Sequence, residues 1–139
     1  MNNEEVLLAM QSGKIPAPPI AKLLGMQLKD VSKGCVIMEM EATKEHWNPM
    51  HTLHGGVMCD LADAAMGSAF FTTLDADESY TTVDLHIKFL KPVVTGKIIA
   101  SATVIKRGKR LGYIECDLRN DEGELIAKAD SSCIVLRNE

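Results

Sequence analysis

Aromatic side chains are scarce in this sequence: three Phe, two Tyr and one Trp in 139 residues. Single-stranded nucleic acid is held by stacking bases on aromatic platforms, so that class of function is not expected. Positive charge is also short. Fifteen Lys and Arg stand against 19 Asp and Glu, a net charge of −4 and a pI near 5.6, whereas a general nucleic-acid binder carries a basic excess. No apolar run reaches the ~18 residues of a membrane-spanning helix. The opening stretch, MNNEEVLLAMQSGK, has two acids and no basic start, unlike a secretory signal. Cys35, Cys59, Cys116 and Cys133 lie far apart with no CxxC pair, so neither a zinc site nor a disulfide framework is indicated. A reducing cytoplasm is the expected compartment. What remains is ordinary for a globular chain, with 46% hydrophobic and 24% charged residues. The length suits one domain over residues 1–139, with residues 1–18 as an N-terminal helical extension.

The pattern along the chain predicts an α+β architecture. A helix over about 3–12 ends before the prolines of 16–19, and Ile20 to Leu24 suit one further helical turn. Residues 26–32 read as a strand, Lys33-Gly34 as a turn, and 35–43 as a half-buried strand, with Val36, Met38, Met40 and Ala42 sharing a face. Val83, Leu85, Ile87 and Phe89 alternate again until Pro92. Strands over 97–107, 111–119 and 124–136 follow, with turns at Gly108 and at Asn120 to Gly123. Strands joined by such short turns pair antiparallel.

Between the two halves, residues 53–74 place Met58, Leu61, Ala62, Ala65, Ala69 and Thr72 on one face of a helix. The other face holds Asp60, Asp63, Gly67, Phe70 and Phe71, with no base anywhere in the segment. A helix this apolar all round is covered on both sides. In so short a chain the second cover is expected to be another subunit. The expected fold is one long helix wrapped by a twisted antiparallel sheet of five to six strands.

The chemistry concentrates around the start of that helix. Gly55-Gly56 leave backbone N–H groups open to close approach, and the helix dipole adds partial positive charge, a setting suited to an anion or a developing oxyanion. Asp63, two turns on, is a carboxylate on a helix expected to be buried, which is costly unless it is paired or does chemistry. The alternative is a tight Gly-Gly helix start and an Asp hydrogen-bonded to a neighbouring loop.

The pattern N-P-M-x-x-L-H-G-G-x-x-x-x-L-x-D-x-A-x-G from Asn48, followed by T-V-D-L-x-I-x-F-L-x-P from Thr82, resembles the hotdog-fold thioesterases of the PaaI type. The resemblance runs from about Gly25 to Leu136. It implies hydrolysis of acyl-coenzyme A thioesters without metal or cofactor. It further implies a homodimer or homotetramer whose sites lie at the subunit interface, with Asp63 and Gly55 of one site coming from different subunits. On this resemblance Gly55 points its N–H at the thioester carbonyl, and Asn48 positions the thioester or water. Asp63 acts as general base or nucleophile, Thr82 orients water, and His54 supports the loop. Asp60 departs from the pattern, which has an apolar or small residue there. It either raises the pKa of Asp63 by like-charge repulsion or faces water, and the second is favoured.

The remaining candidates divide between chemistry and scaffold. His46, His51 and His54 cluster, but their spacing matches no standard metal site and only Glu45 accompanies them. Lys106-Arg107-Gly108-Lys109-Arg110 is either a solvated hairpin or a clamp for the phosphates of coenzyme A. Family members place the nucleotide near this turn, near Phe89-Leu90-Lys91-Pro92 and near a Lys before the Asn loop, here Lys44. Trp47, Met50, Phe70 and Phe71 line an acyl pocket or form interface core, with the phenylalanines favouring the core. The N-terminal helix caps the pocket or packs elsewhere. A non-catalytic acyl-CoA sensor would need an added DNA-binding segment, for which 139 residues leave no space. A hydratase would need a His/Asp dyad in a pattern not found here.

Overall fold

The computed structural model describes residues 1–137. Helix α1 (Asn3–Ser12) starts on an Asn2 cap, whose side chain accepts from Glu5 N–H, and stops at left-handed Gly13. Helix α2 (Pro19–Leu24) has Pro at its first position, where no N–H is needed, and ends at Gly25. Then follow β1 (Gln27–Ser32), β2 (Cys35–Ala42), α3 (Gly55–Phe71), β3 (Glu78–Phe89), β4 (Gly96–Arg107), β5 (Leu111–Asn120) and β6 (Leu125–Arg137). The six strands form one antiparallel sheet in the order β1-β2-β4-β5-β6-β3. The chain leaves β2 near one edge, crosses the sheet as α3 and returns as β3 at the other edge. This is the hotdog arrangement anticipated from the sequence.

The predicted packing stripe of α3 is buried: Leu61, Ala62, Ala65 and Ala69 are inaccessible, and Met58 and Thr72 nearly so. Small residues bring the helix close to the inner faces of β2, β4 and β5, where Met38, Ala100 and Ile114 await it. The predicted outer face needs correction. Phe70 and Gly67 are buried within the single chain, so Phe70 is core and not subunit interface. Its ring fills the space left by Gly112, where a Cβ would sit 2.1 Å from the ring, and meets Tyr80 edge-on with centroids 5.7 Å apart.

Strand β3 also differs from the sequence reading. It begins at Glu78, five residues before Val83, and carries a bulge between Thr82 and Asp84. The bulge exchanges the two faces of the strand. Tyr80 and Thr82 before it, and Leu85 and Ile87 after it, are the partly covered positions. Val83 is 59% exposed and does not share the face of Leu85 and Ile87.

Candidate functional site

The segment between β2 and α3 is held by its own side chains. Thr43 and His46 form a capping box around the 3-10 turn Lys44–His46, with His46 Nδ1 accepting from Thr43 N–H at 3.0 Å. Asn48 Oδ1 accepts from the N–H groups of Met50 and Thr52, and its Nδ2 donates to Thr52 Oγ1 at 2.9 Å. Trp47 Nε1 donates to the carbonyl of Val94 at 2.7 Å, and its ring stacks on His51, a residue in the left-handed region at φ 63°. His54 caps α3: its Nδ1 accepts from Gly56 N–H at 2.9 Å and its carbonyl from Val57 N–H. With Nδ1 of both His46 and His54 engaged this way, the histidines serve the loop. Among the described residues no group of three or more His, Cys, Asp or Glu is placed to hold a metal ion.

Gly55 therefore opens the helix with its N–H directed outward from the first turn. A Cβ here would lie 2.8 Å from Cζ of Phe89, so the ring of β3's last residue packs against the bare backbone. Lys44 lies over the Trp47 ring at 5.9 Å. Lys91 is paired with Glu124. Asn48, His54, Gly55, Lys44 and the Phe89-to-Pro92 segment thus share one end of the molecule.

Asp63 is elsewhere. Eight residues of helix put it about 12 Å from Gly55. In the single chain its side chain is reached by solvent, contrary to the expected burial, yet protein atoms crowd it. That crowding raises its pKa above the ordinary carboxylate value. Thr82 Oγ1 donates to Asp63 Oδ1 at 3.4 Å and opposes the rise, while the charge of Asp60 adds to it. Asp60 therefore both faces water and acts on Asp63. Behind Thr82, its register partner Cys133 brings Sγ to 3.9 Å. Tyr80, half-buried with its hydroxyl against Gly67, has its pKa pushed up to about 12 by desolvation, with the Cys133 and Asp63 charges adding to the rise. Neither Tyr80 nor Cys133 was singled out from the sequence. The register of β3 on β6 is their only signal, and no one-dimensional pattern reveals it.

The basic run lies at the far end of α3. Arg107 Nη2 meets Glu78 Oε1 at 2.7 Å, Nε donates to Thr73 Oγ1, and the guanidinium sits 5.5 Å from the Phe70 ring. Arg137 also reaches Glu78, whose side chain is only 2% exposed. Arg107 is thus a structural ion pair and is set aside as a phosphate ligand. Lys106, Lys109 and Arg110 are exposed, and Gly108 closes the turn through its N–H to the carbonyl of Leu111.

Residues 50–127 match the thioesterase superfamily. The chain belongs to this family. Membership assigns it the chemistry of thioester hydrolysis and places the residues above within a known fold. It is 34% identical over 127 residues to human acyl-coenzyme A thioesterase 13, covering 89% of this chain and 87% of that protein. Among solved structures it is similar to a phenylacetic acid degradation-related protein of Ralstonia eutropha, with a TM-score of 0.84 and 27% identity over 92% of this chain and 98% of the other. A thioesterase of Haemophilus influenzae, 23% identical, has the same fold, with a TM-score of 0.84 over 94% of this chain and 90% of that one. No described helix is long and apolar enough to cross a membrane.

Proposed function

We propose that the protein hydrolyses acyl-coenzyme A thioesters to the free acid and coenzyme A, in the cytoplasm, at sites shared between two subunits of a homodimer or homotetramer. The observation that carries this reading is the pairing of Asp63 with Thr82 on an uncovered face of α3, about 12 Å from the Gly55 N–H of the same chain. One carbonyl cannot touch both groups of one chain. A second subunit, joined along the open edge of β3, brings its own helix start to Asp63.

In this site Gly55 N–H, at the positive end of α3, stabilises the oxyanion that forms on the thioester carbonyl. Asp63, held by Thr82, removes a proton from water as water adds to the carbonyl carbon, or adds to it directly as a nucleophile. The carbon–sulfur bond then breaks, and coenzyme A leaves as the thiol once its sulfur takes up a proton; on the nucleophilic route water then hydrolyses the anhydride left on Asp63, releasing the acid and restoring the carboxylate. Asn48 orders the loop that sets the angle of approach, and His54 fixes Gly55 by capping the helix. Lys44 and the segment Phe89-Leu90-Lys91-Pro92 hold the nucleotide from one subunit. Lys106, Gly108, Lys109 and Arg110 hold it from the other, because the two groups lie at opposite ends of one chain.

A panel of acyl-CoAs scored for free thiol tests this directly, with fatty acyl, phenylacetyl and hydroxybenzoyl thioesters included. Release from one or more, lost in Asp63→Asn, is the expected result. Tight binding of acyl-CoA without turnover would favour the alternative, a non-catalytic acyl-CoA-binding module.

A further inference from the structure

Between α3 and the N-terminal segment runs an open groove of about 760 Å³, inside the roughly 300–1,000 Å³ range of small-molecule sites. One wall is the face of α3 that bears Asp63, continuing through Ala64 and Ser68 to Phe71. The other sides come from Met10 of α1, Ala17 and Ala21 around the start of α2, and Met26 and Met38. The N-terminal segment is moored there. Asn3 Nδ2 donates to the carbonyls of Phe71 and Leu74 at the end of α3, and Gln11 Nε2 donates to that of Lys29.

The lining is selective in its chemistry. Methionines are unbranched and adapt to a flexible ligand. Only Phe71 and Tyr80 are aromatic, and Tyr80 is already packed edge-on to Phe70, so no pair of rings faces across the groove to sandwich an aryl group. The one base, Lys29, stands 3.2 Å from Glu39. The acids are Asp60 and Asp63, one helical turn apart on the same wall, which repel an anionic end group. From Asp63 to Phe71 the wall runs about 12 Å. An extended alkyl chain, with C–C bonds of about 1.5 Å, advances roughly 1.25 Å per carbon.

We infer that this groove is the acyl-chain site and that it selects a flexible, uncharged aliphatic chain of about ten carbons, with the end of the wall at Phe71, where Asn3 moors the N-terminal segment, setting the length limit. This rests on the reading of the protein as an acyl-CoA thioesterase, because Asp63 on the groove wall is where the thioester would stand.

The test is the kcat/KM of butyryl-, decanoyl-, phenylacetyl- and succinyl-CoA, for wild type and for Ser68→Trp and Ser68→Leu. Both substitutions project bulk from the α3 wall about 7.5 Å beyond Asp63, past the reach of a butyryl chain. Decanoyl-CoA should exceed each of the other three by roughly tenfold or more, since every added buried methylene strengthens binding. Either folded variant should lower decanoyl-CoA by roughly tenfold while leaving butyryl-CoA within about twofold. Calorimetry with the non-hydrolysable S-decyl- and S-butyl-coenzyme A reads the groove without turnover, and the longer compound should bind at least about tenfold tighter. Equal or better use of butyryl- or phenylacetyl-CoA would overturn the groove assignment and leave hydrolysis standing. Tighter S-decyl binding with no thiol released from any substrate would do the reverse. Equal binding of the two S-alkyl compounds would also sink the groove.

Discussion

At the scale of single residues, the proposed site turns on one carboxylate whose surroundings disfavour its charge. Asp63→Asn keeps the shape of the side chain but removes both basicity and nucleophilicity, and should lower kcat by about 10² or more with the fold intact. With Asp63 as the proposed base, its raised pKa should set the acid limb of kcat/KM above the ordinary carboxylate range. Asp60→Asn removes a like charge one turn away, so it should move that limb to lower pH while changing plateau kcat by less than about twofold. A pH–rate profile unchanged in Asp60→Asn would show that the two groups do not interact. The same shift has a stability sign. The folded chain binds the Asp63 proton more tightly than the unfolded chain. The stability this confers is fully present below the unfolded-state pKa and is lost as pH rises through the folded-state value. Asp63→Asn should therefore melt higher than wild type at pH 7, by a margin that closes in acid. Gly55 is constrained differently. Gly55→Ala drives a Cβ into the Phe89 ring and should reduce turnover by about tenfold through misplacement of the N–H. Adding Phe89→Ala, which clears the ring, should recover part of that loss in turnover assays.

At the scale of elements, the β4–β5 hairpin holds two kinds of base. Arg107 ties β4 to Glu78 at the start of β3, so Arg107→Ala should lower the melting temperature and harm every substrate alike. Glu78 has its pKa lowered first by the N–H of Asp75 and further by the two guanidinium groups, so its contribution is present at neutral pH and is lost as pH falls through the lowered value. Neutralising Lys106, Lys109 and Arg110 should instead raise KM for coenzyme A thioesters by about 1 kcal/mol per contact, less at high salt. The N-acetylcysteamine thioester, which has no phosphates, should not respond, and equal loss on both substrates would return the hairpin to a solvated turn. The sequence did not separate Arg107 from its neighbours because the partner, Glu78, lies 29 residues away and ahead of the alternation that starts at Val83. Periodicity located α3 and five of the six strands closely, since each presents a regular apolar face to one core. It failed at β3 because the bulge changes the facing parity between Thr82 and Leu85, and an alternation rule assumes constant parity. The groove was illegible for a related reason: Met10, Ala17 and Asp63 meet only through the fold.

At the scale of the whole molecule, the open questions converge on the free edge of β3. Strand β1 has α1 beside it, whereas among the described residues no strand lies beyond β3, and an uncovered edge is a template for pairing with another chain. Light scattering should show at least a dimer of the 15.2 kDa chain. Assembly alone does not establish that sites are shared, but subunit mixing does. Gly55→Pro, combined with Phe89→Ala to clear room for its ring, removes the N–H at a first helical position where the φ of proline fits, and Asp63→Asn removes the carboxylate. Each variant alone should be nearly inactive. If one site takes Asp63 from one subunit and Gly55 from the other, a mixed dimer has one site with both defects and one with neither. Random reassociation makes half the dimers mixed, so about a quarter of wild-type sites should reappear after unfolding and refolding the two together. If Asp63 and Gly55 of the same chain formed a site, every site in the mixture would carry one defect and no activity would return. The outcome therefore reads the arrangement directly, and a fully active monomer would contradict it from the other side.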